Sequence, residues 1–370
     1  MTRWLASVVS LGLVACTGRA PSGLGPDVDP IDALTDGGSA AADGGDAGAP
    51  ALDAGGGSDA TAPDAVAELE DAAPFTGPAR LSETGLYRDL ATRALADGVR
   101  PYGVRYPLWS DGTEKARYLL LPPGTTIDTS DQDAWRFPAG TKVWKDFRAG
   151  GRLIETRLLE KVPDGDQAWR VVAYLWADDE RDAFAAPDGQ SNARGTGHDV
   201  PSRDDCLKCH RGVADTVIGV SAFQLEADTM AAWASEGVFT STTSTTTRAL
   251  VPPGEGVVRD TLGYFHANCG HCHNALHPIG RFVPLRLRLT ALSAAPGPPE
   301  DAPAYLTAVG VAARHRIPGY TTIVAPGAPD QSQLYRRMSV RTLEQMPPVA
   351  TETADRAGLA LVREWIGGLP

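Results

Sequence analysis

Lys142-Val143-Trp144-Lys145-Asp146-Phe147, then Leu153-Ile154-Glu155-Thr156-Arg157-Leu158-Leu159-Glu160-Lys161, then Trp169-Arg170-Val171-Val172-Ala173-Tyr174-Leu175-Trp176 are the stretches that decide the fold of the first half of this chain. Each is rich in β-branched, aromatic and large aliphatic residues, the make-up of a half-buried or buried strand. Ala149-Gly150-Gly151 and Pro163-Asp164-Gly165 stand between them as turns. Upstream, Lys115 to Leu121 reads as a further strand, and Pro122-Pro123-Gly124 and Pro138-Ala139-Gly140 punctuate the interval before Lys142. Strands joined by short turns predict a β-rich domain over residues 80–195, sandwich-like or a compact antiparallel sheet. Leu86 to Ala96 reads as a single helix before it.

Towards the amino terminus the composition changes. Between Ala20 and Ala79 there are twelve carboxylates and no Lys or Arg, whereas from Arg80 onward 32 bases face 34 acids. Residues 16–79 are dominated by Ala, Gly, Asp and Pro and cannot bury enough surface to offset ordering entropy, which predicts a disordered acidic tether. With Gly-rich statistics its reach is ~40 Å. Residues 1–15 carry Arg3 and an apolar run from Trp4 to Ala15 that is too short to span a bilayer and reads as a signal peptide. Leu13-Val14-Ala15-Cys16 resembles the bacterial lipobox, which implies lipidation of Cys16; the alternative is a plain secretory signal. Thr17 after the Cys implies the outer membrane, facing the periplasm or the cell surface. The near-neutral body has no basic stripe to neutralise phosphates, which argues against a nucleic-acid partner.

Towards the carboxyl terminus, four of the five cysteines form two short patterns, Cys206-Leu207-Lys208-Cys209-His210 and Cys269-Gly270-His271-Cys272-His273. Cysteines three apart lie on one face of a helical turn and the next residue supplies an imidazole. That geometry suits attachment of two thiols to the vinyl groups of haem while the His binds iron. The β-rich domain contains no His and no Cys, so it makes no such ligand set alone. A zinc site needs its Cys pairs close in the fold, yet 59 residues lie between Cys209 and Cys269, and zinc leaves the trailing His unexplained. Disulfides or thiol redox chemistry leave them unexplained too. The motifs therefore predict two covalently bound c-type haems, one in a segment over residues 196–250 and one in a domain over residues 251–370.

The second motif has patterned flanks. Val258, Leu262 and Phe265 recur at helical spacing before Cys269, and Leu359, Val362 and Ile366, with Trp365, make a second stripe. Between them, Gln345-Met346-Pro347-Pro348 holds a thioether on a loop that its prolines keep from being helical, making Met346 the candidate partner of His273 on haem iron. Met338 follows Leu334 and Tyr335 in a helical pattern, as a core residue does. This order resembles class I cytochrome c over about Val251 to Pro370, and the resemblance implies mainly α, cytochrome c-like haem domains after the β-rich one. Seventy-three positions separate His273 from Met346, and the alternation Val283, Leu285, Leu287, Leu289 within Arg281–Pro318 predicts a strand-bearing insertion.

With the first motif, Trp109-Ser110-Asp111-Gly112, Phe137-Pro138-Ala139-Gly140-Thr141 and Ile154-Glu155-Thr156-Arg157 resemble a family of bacterial di-haem c-type cytochromes, often lipoproteins, of undefined physiological reaction. The resemblance implies two haems per chain, one-electron transfer and a redox partner protein, and leaves the substrate unknown. Taken alone, Trp109 beside a turn reads as a packed core residue. The partner of His210 on the first iron stays open: His198 lies in a Gly-rich loop eight residues before Cys206, and Met230 sits where a helix core would. No separate catalytic constellation is present. The alternatives to a carrier are a di-haem peroxidase or oxidase with an open first haem, and a metal-stabilised binding lipoprotein.

Overall fold

A computed structural model describes residues 77–163, 169–240 and 249–370. The leader, Cys16 and the tether as far as residue 76 lie outside the described residues. A hairpin of β1 (Tyr87–Asp89) and β2 (Ala94–Leu95) precedes a six-stranded antiparallel meander of β3 (Arg100–Pro101), β4 (Glu114–Leu120), β5 (Lys142–Ala149), β6 (Arg152–Lys161), β7 (Trp169–Trp176) and β8 (Ala183–Ala185). The long strands lie where composition and turns predicted them. The helix expected over Leu86 to Ala96 is instead the hairpin. Asp89 Oδ1 accepts the Ala91 N–H at 2.9 Å and the Thr92 N–H at 3.4 Å, and Arg93 turns to a φ of +59°, so a side-chain-supported turn outcompetes the helical bonds.

Among the described residues the only other sheet is the two-stranded β1–β2 hairpin, which packs Tyr87 against Tyr118 on one face, so the sandwich-like expectation is corrected to a compact antiparallel sheet. One face presents Tyr118, Trp144, Leu158 and Val172 in register and is covered by Leu81, Leu86 and Val99. Asp146, buried on this face, accepts from Tyr87 Oη at 2.7 Å and Thr156 Oγ1 at 2.5 Å, so the polar group is satisfied. The other face presents Leu119, Val143, Leu159 and Val171, which join one apolar cluster with Val220, Phe223, Leu262, Phe265 and Trp365. The β-rich region and the segments carrying both motifs thus share a core. With both faces buried, a one-residue slip would exchange every contact, so register is strongly specified.

After the sheet come α1 (Arg203–His210), α2 (Ala227–Ser235), α3 (Gly256–Asn268), α4 (Pro303–Ala308), α5 (Gln333–Ser339) and α6 (Arg356–Gly367). The expectation of mainly α, cytochrome c-like haem domains is corrected: these helices are short, the longest has 13 residues, and irregular chain joins them on one face of the sheet. Fourteen prolines between Pro252 and Pro370 remove donors and interrupt helices. The two apolar stripes do meet, as α3 and α6. Phe265 and Trp365 pack edge to face at 5.4 Å, and a Cβ on Gly358 would lie 2.5 Å from the Tyr264 ring, so only glycine permits this approach.

Residues 283–290 form no ladder, and within Arg281–Pro318 the described residues make only isolated bridges, Val309 to Val324 and Ala312 to Thr322, which corrects the strand-bearing insertion. Leu287 and Leu289 are buried as the alternation requires. Their N–H groups bond to the His273 carbonyl at 2.8 Å and His266 Nδ1 at 3.0 Å rather than to a partner strand. No helix among the described residues is long and apolar enough to cross a membrane.

Candidate functional site

Helix α1 starts at a capping box. Ser202 Oγ accepts the Asp205 N–H at 3.1 Å and Asp205 Oδ2 accepts the Ser202 N–H at 3.3 Å. The helix carries Cys206, Cys209 and His210 within its last turns. Cys206 is buried in the main core, and burial pushes its thiol up to about 11. His210 Nδ1 donates to the Thr216 carbonyl at 2.7 Å, which fixes the tautomer and leaves Nε2 with its lone pair. Burial lowers this imidazole to about 4, so it is neutral at pH 7.

The Thr216 carbonyl is itself held by the sheet. Asp215 and Thr216 have φ values of +52° and +64°, a region disfavoured for any side chain and most for a β-branched one. Asp215 Oδ1 accepts from Lys161 Nζ at 2.7 Å and Trp169 Nε1 at 2.9 Å, and Oδ2 accepts the Phe137 N–H. Those bonds to β6, β7 and the preceding loop offset the strained turn.

The second motif follows α3 directly. Asn268 Oδ1 accepts the Trp109 N–H at 2.7 Å, and its Nδ2 donates to the carbonyls of Pro107 and Tyr264 at 3.2 Å. Cys269 to His273 form a single helical turn, since the N–H groups of Cys272 and His273 both donate to the Cys269 carbonyl, at 3.1 and 2.8 Å. Burial, with the neighbouring imidazoles of His271 and His277 and the charges of Arg286 and Arg337, lowers His273 to about 4, and its Nδ1 is buried without a hydrogen-bond partner. Met346 is half-buried and its N–H donates to the Arg337 carbonyl at 2.9 Å, so the Met346 loop and His273 share Arg337 as a neighbour. Met338 and Met230 are buried in the main apolar cluster.

The two motifs touch. Buried Asn274 reaches with Nδ2 to the carbonyls of Gly212 and Gly270, both at 2.8 Å, and His271 at 2.9 Å. His277 Nε2 donates to the Lys208 carbonyl at 2.7 Å. Cys209 Sγ, Cys272 Sγ and a ring nitrogen of His271 lie within 4.8 Å of one another. A hydrogen bond from Cys272 holds the Cys209 thiol far down, against burial and with help from His271, while the same bond pushes Cys272 up. The separation in sequence that argued against paired motifs is therefore overcome by the fold, although Cys206 and Cys269 stay outside this trio. A Cβ on Gly212 would lie 2.0 Å from the His271 carbonyl oxygen. Gly212→Ala is expected to cost on the order of 3 kcal/mol in chemical denaturation, since a backbone atom cannot rotate aside.

The His198 side chain is held in place within its Gly-rich loop. It is 1% exposed and stacked on Phe147 at 5.5 Å, with Nε2 2.9 Å from Glu155 Oε1 and Nδ1 3.8 Å from Asp111 Oδ2. Nε2 is hydrogen-bonded to Glu155, whereas Nδ1 and Asp111 Oδ2 face each other beyond hydrogen-bond reach, each without a hydrogen-bond partner. Burial opposes a charge on the ring, but Asp111 and Glu155 outweigh it and raise the pKa. Glu155 also pairs with Arg157, whose charge acts on Cys206 and Cys209. Asp111 Oδ1 accepts the N–H groups of Glu352 at 2.7 Å and Thr353 at 2.8 Å. The series Asp111, His198, Glu155, Arg157 thus runs from the loop at Glu352 and Thr353 to the first motif. Asp111, Glu155 and Arg157 were visible in sequence only inside motifs carried by resemblance, because nothing local marks them as partners.

Trp109, expected as core, instead lines a cleft of about 620 Å³ with Tyr106, Tyr264, Lys115 and Arg117, and its Nε1 donates to the Thr353 carbonyl at 2.9 Å. No family model, no curated protein and no solved structure matches this chain.

Proposed function

We propose that this chain is an exported di-haem electron carrier, anchored by lipid at Cys16, that passes single electrons to and from a redox partner protein. The observation that carries the reading is the meeting of two complete Cys-x-x-Cys-His motifs, 59 residues apart, across Gly212, Asn274 and His277. The donor set fits haem. Cys206 and Cys209 share one helix with His210, whose Nε2 is left free by the Thr216 bond, and His273 is a neutral imidazole with an orphaned ring nitrogen. Cys269 and Cys272 complete the second attachment, and Met346 is the proposed second ligand to its iron. Covalent haem supplies a one-electron iron couple whose potential the surrounding protein tunes. Contact between the motifs favours exchange of electrons within the chain.

A peroxidase or oxidase is less favoured, because His198, the nearest acid–base group in sequence, is committed to Glu155. A second reading has one observation in its favour: Cys209, His271 and Cys272 could hold a thiophilic ion such as zinc. A haem-stained denaturing gel, with visible spectra of both oxidation states and elemental analysis, separates the two. Two haems per chain that survive denaturation are the expected outcome. A colourless protein with one equivalent of zinc would replace the carrier with the metal-stabilised binding protein.

A further inference from the structure

The sheet face turned towards the first motif carries a row of cations. Arg117 of β4 lies opposite Lys145 of β5, and Lys145 lies opposite Arg157 of β6. Lys115, two residues from Arg117, shares their face. Lys115 Nζ, Lys145 Nζ and Arg157 Cζ gather over the Phe147 ring at 5.8, 5.1 and 4.3 Å. Like charges directly opposite one another destabilise a sheet. Burial and mutual repulsion here lower Lys115 to about 8 and push Lys145 well below the ordinary lysine value.

The nearby carboxylates only partly offset the row: the charge of Glu226 acts on Arg117, and that of Asp355, which with Asp260 lines the cleft, acts on Lys115, without a salt bridge to either cation among the described residues. Glu155 is shared between Arg157 and His198, and Asp111 between His198 and the backbone at Glu352 and Thr353. Among the described residues, Arg117 and Lys145 form no salt bridge. One end of the row adjoins the first motif, where the charges of Arg157 and Lys145 act on Cys206 and that of Lys145 acts on His210. The other end, Lys115 and Arg117, lines the cleft of about 620 Å³. Two strand spacings, ~10 Å, separate the ends, comparable to the width of a porphyrin. The cleft volume falls within the range of small-molecule sites, about 300 to 1,000 Å³.

We propose that Lys115, Arg117, Lys145 and Arg157 form a binding site for a flat ligand bearing two carboxylates, lying along this face of the sheet. Two sources supply that chemistry. One is the propionate pair of a haem attached at Cys206 and Cys209, which rests on the function proposed above. The other is a free aromatic dicarboxylate entering by the cleft, which does not. Guanidinium groups bind carboxylates in bidentate fashion, and a bound dianion would relieve the repulsion along the row.

The test uses full-length protein and the variants Arg117→Gln and Lys145→Gln, with Arg117→Lys as a charge-keeping rescue and thermal melts to verify folding. In the haem arm, spectroelectrochemical titration is expected to show one reduction equilibrium falling about tenfold, about 59 mV for one electron, because a lost cation disfavours the more negative reduced state. That haem is identified as the one absent from Cys206→Ala with Cys209→Ala. In the free-ligand arm, calorimetry with terephthalate is expected to show binding at least tenfold weaker in both Gln variants and kept in Arg117→Lys. A potential shift without terephthalate binding supports the haem source; terephthalate binding that depends on Arg117 supports the free one. Haem-free protein that still binds terephthalate through Arg117 would sink the proposed function and keep the site. Haem present, with potentials and terephthalate indifferent to both Gln variants, overturns the site and leaves the function standing. Neither haem nor binding overturns both.

Discussion

Protein carrying Cys206→Ala and Cys209→Ala is expected to retain half of the parent's haem after denaturation, the same pair of changes at Cys269 and Cys272 the other half, and all four together none. Thioether attachment is covalent and local to each motif, so the two losses are independent even though the motifs touch. In the proposed carrier, removing the first pair is expected to leave the second iron to report alone. Met346→Ala in that background is expected to abolish the Met-to-ferric charge-transfer band and to lower the potential, since Met ligation favours the reduced state. Met338→Ala is expected to leave the spectrum unchanged and cost about 2 to 5 kcal/mol, because Met338 is 8% exposed in the apolar cluster. Undiminished haem in either double-Cys variant would remove that motif from the assignment, and exchanged Met phenotypes would move the ligand.

Glu155→Ala is expected to destabilise the fold by about 3 to 5 kcal/mol, the range for removing one partner of a buried ion pair. The change strands the Arg157 guanidinium and the His198 ring, whose side chains are 13% and 1% exposed. The effect is pH-dependent with a definite sign. His198 is raised above its ordinary 6.5, so its contribution is complete below that value and fades as pH rises through the raised pKa. Glu155 and Asp111 are lowered from 4.5 and 3.8, so their contributions are complete above those values and fade as pH falls through the lowered ones. The network therefore stabilises most between pH 4.5 and 6.5. His198→Gln is expected to flatten the alkaline limb of denaturation midpoint against pH. A parent curve already flat from acid to alkaline pH would show that His198 stays neutral in the fold.

Local pattern alone determined the four long strands, the helical turn under each Cys-x-x-Cys-His and the inward stripes of α3 and α6, because period and turn chemistry act within a few residues. Alternation also found the inward positions at Leu287 and Leu289. It could not say whether a second strand would arrive to pair them, and none did. Only the tertiary structure decided that Glu155 meets His198 across 43 positions, that Asn268 captures the Trp109 N–H, and that Lys145 is flanked by Arg117 and Arg157. Each of these depends on strand register and on how irregular chain crosses a sheet, and a single sequence carries no periodic trace of either. The two motifs illustrate the division most directly. Their chemistry is written in ten residues, whereas their contact depends on Gly212, whose missing Cβ lets two backbones approach.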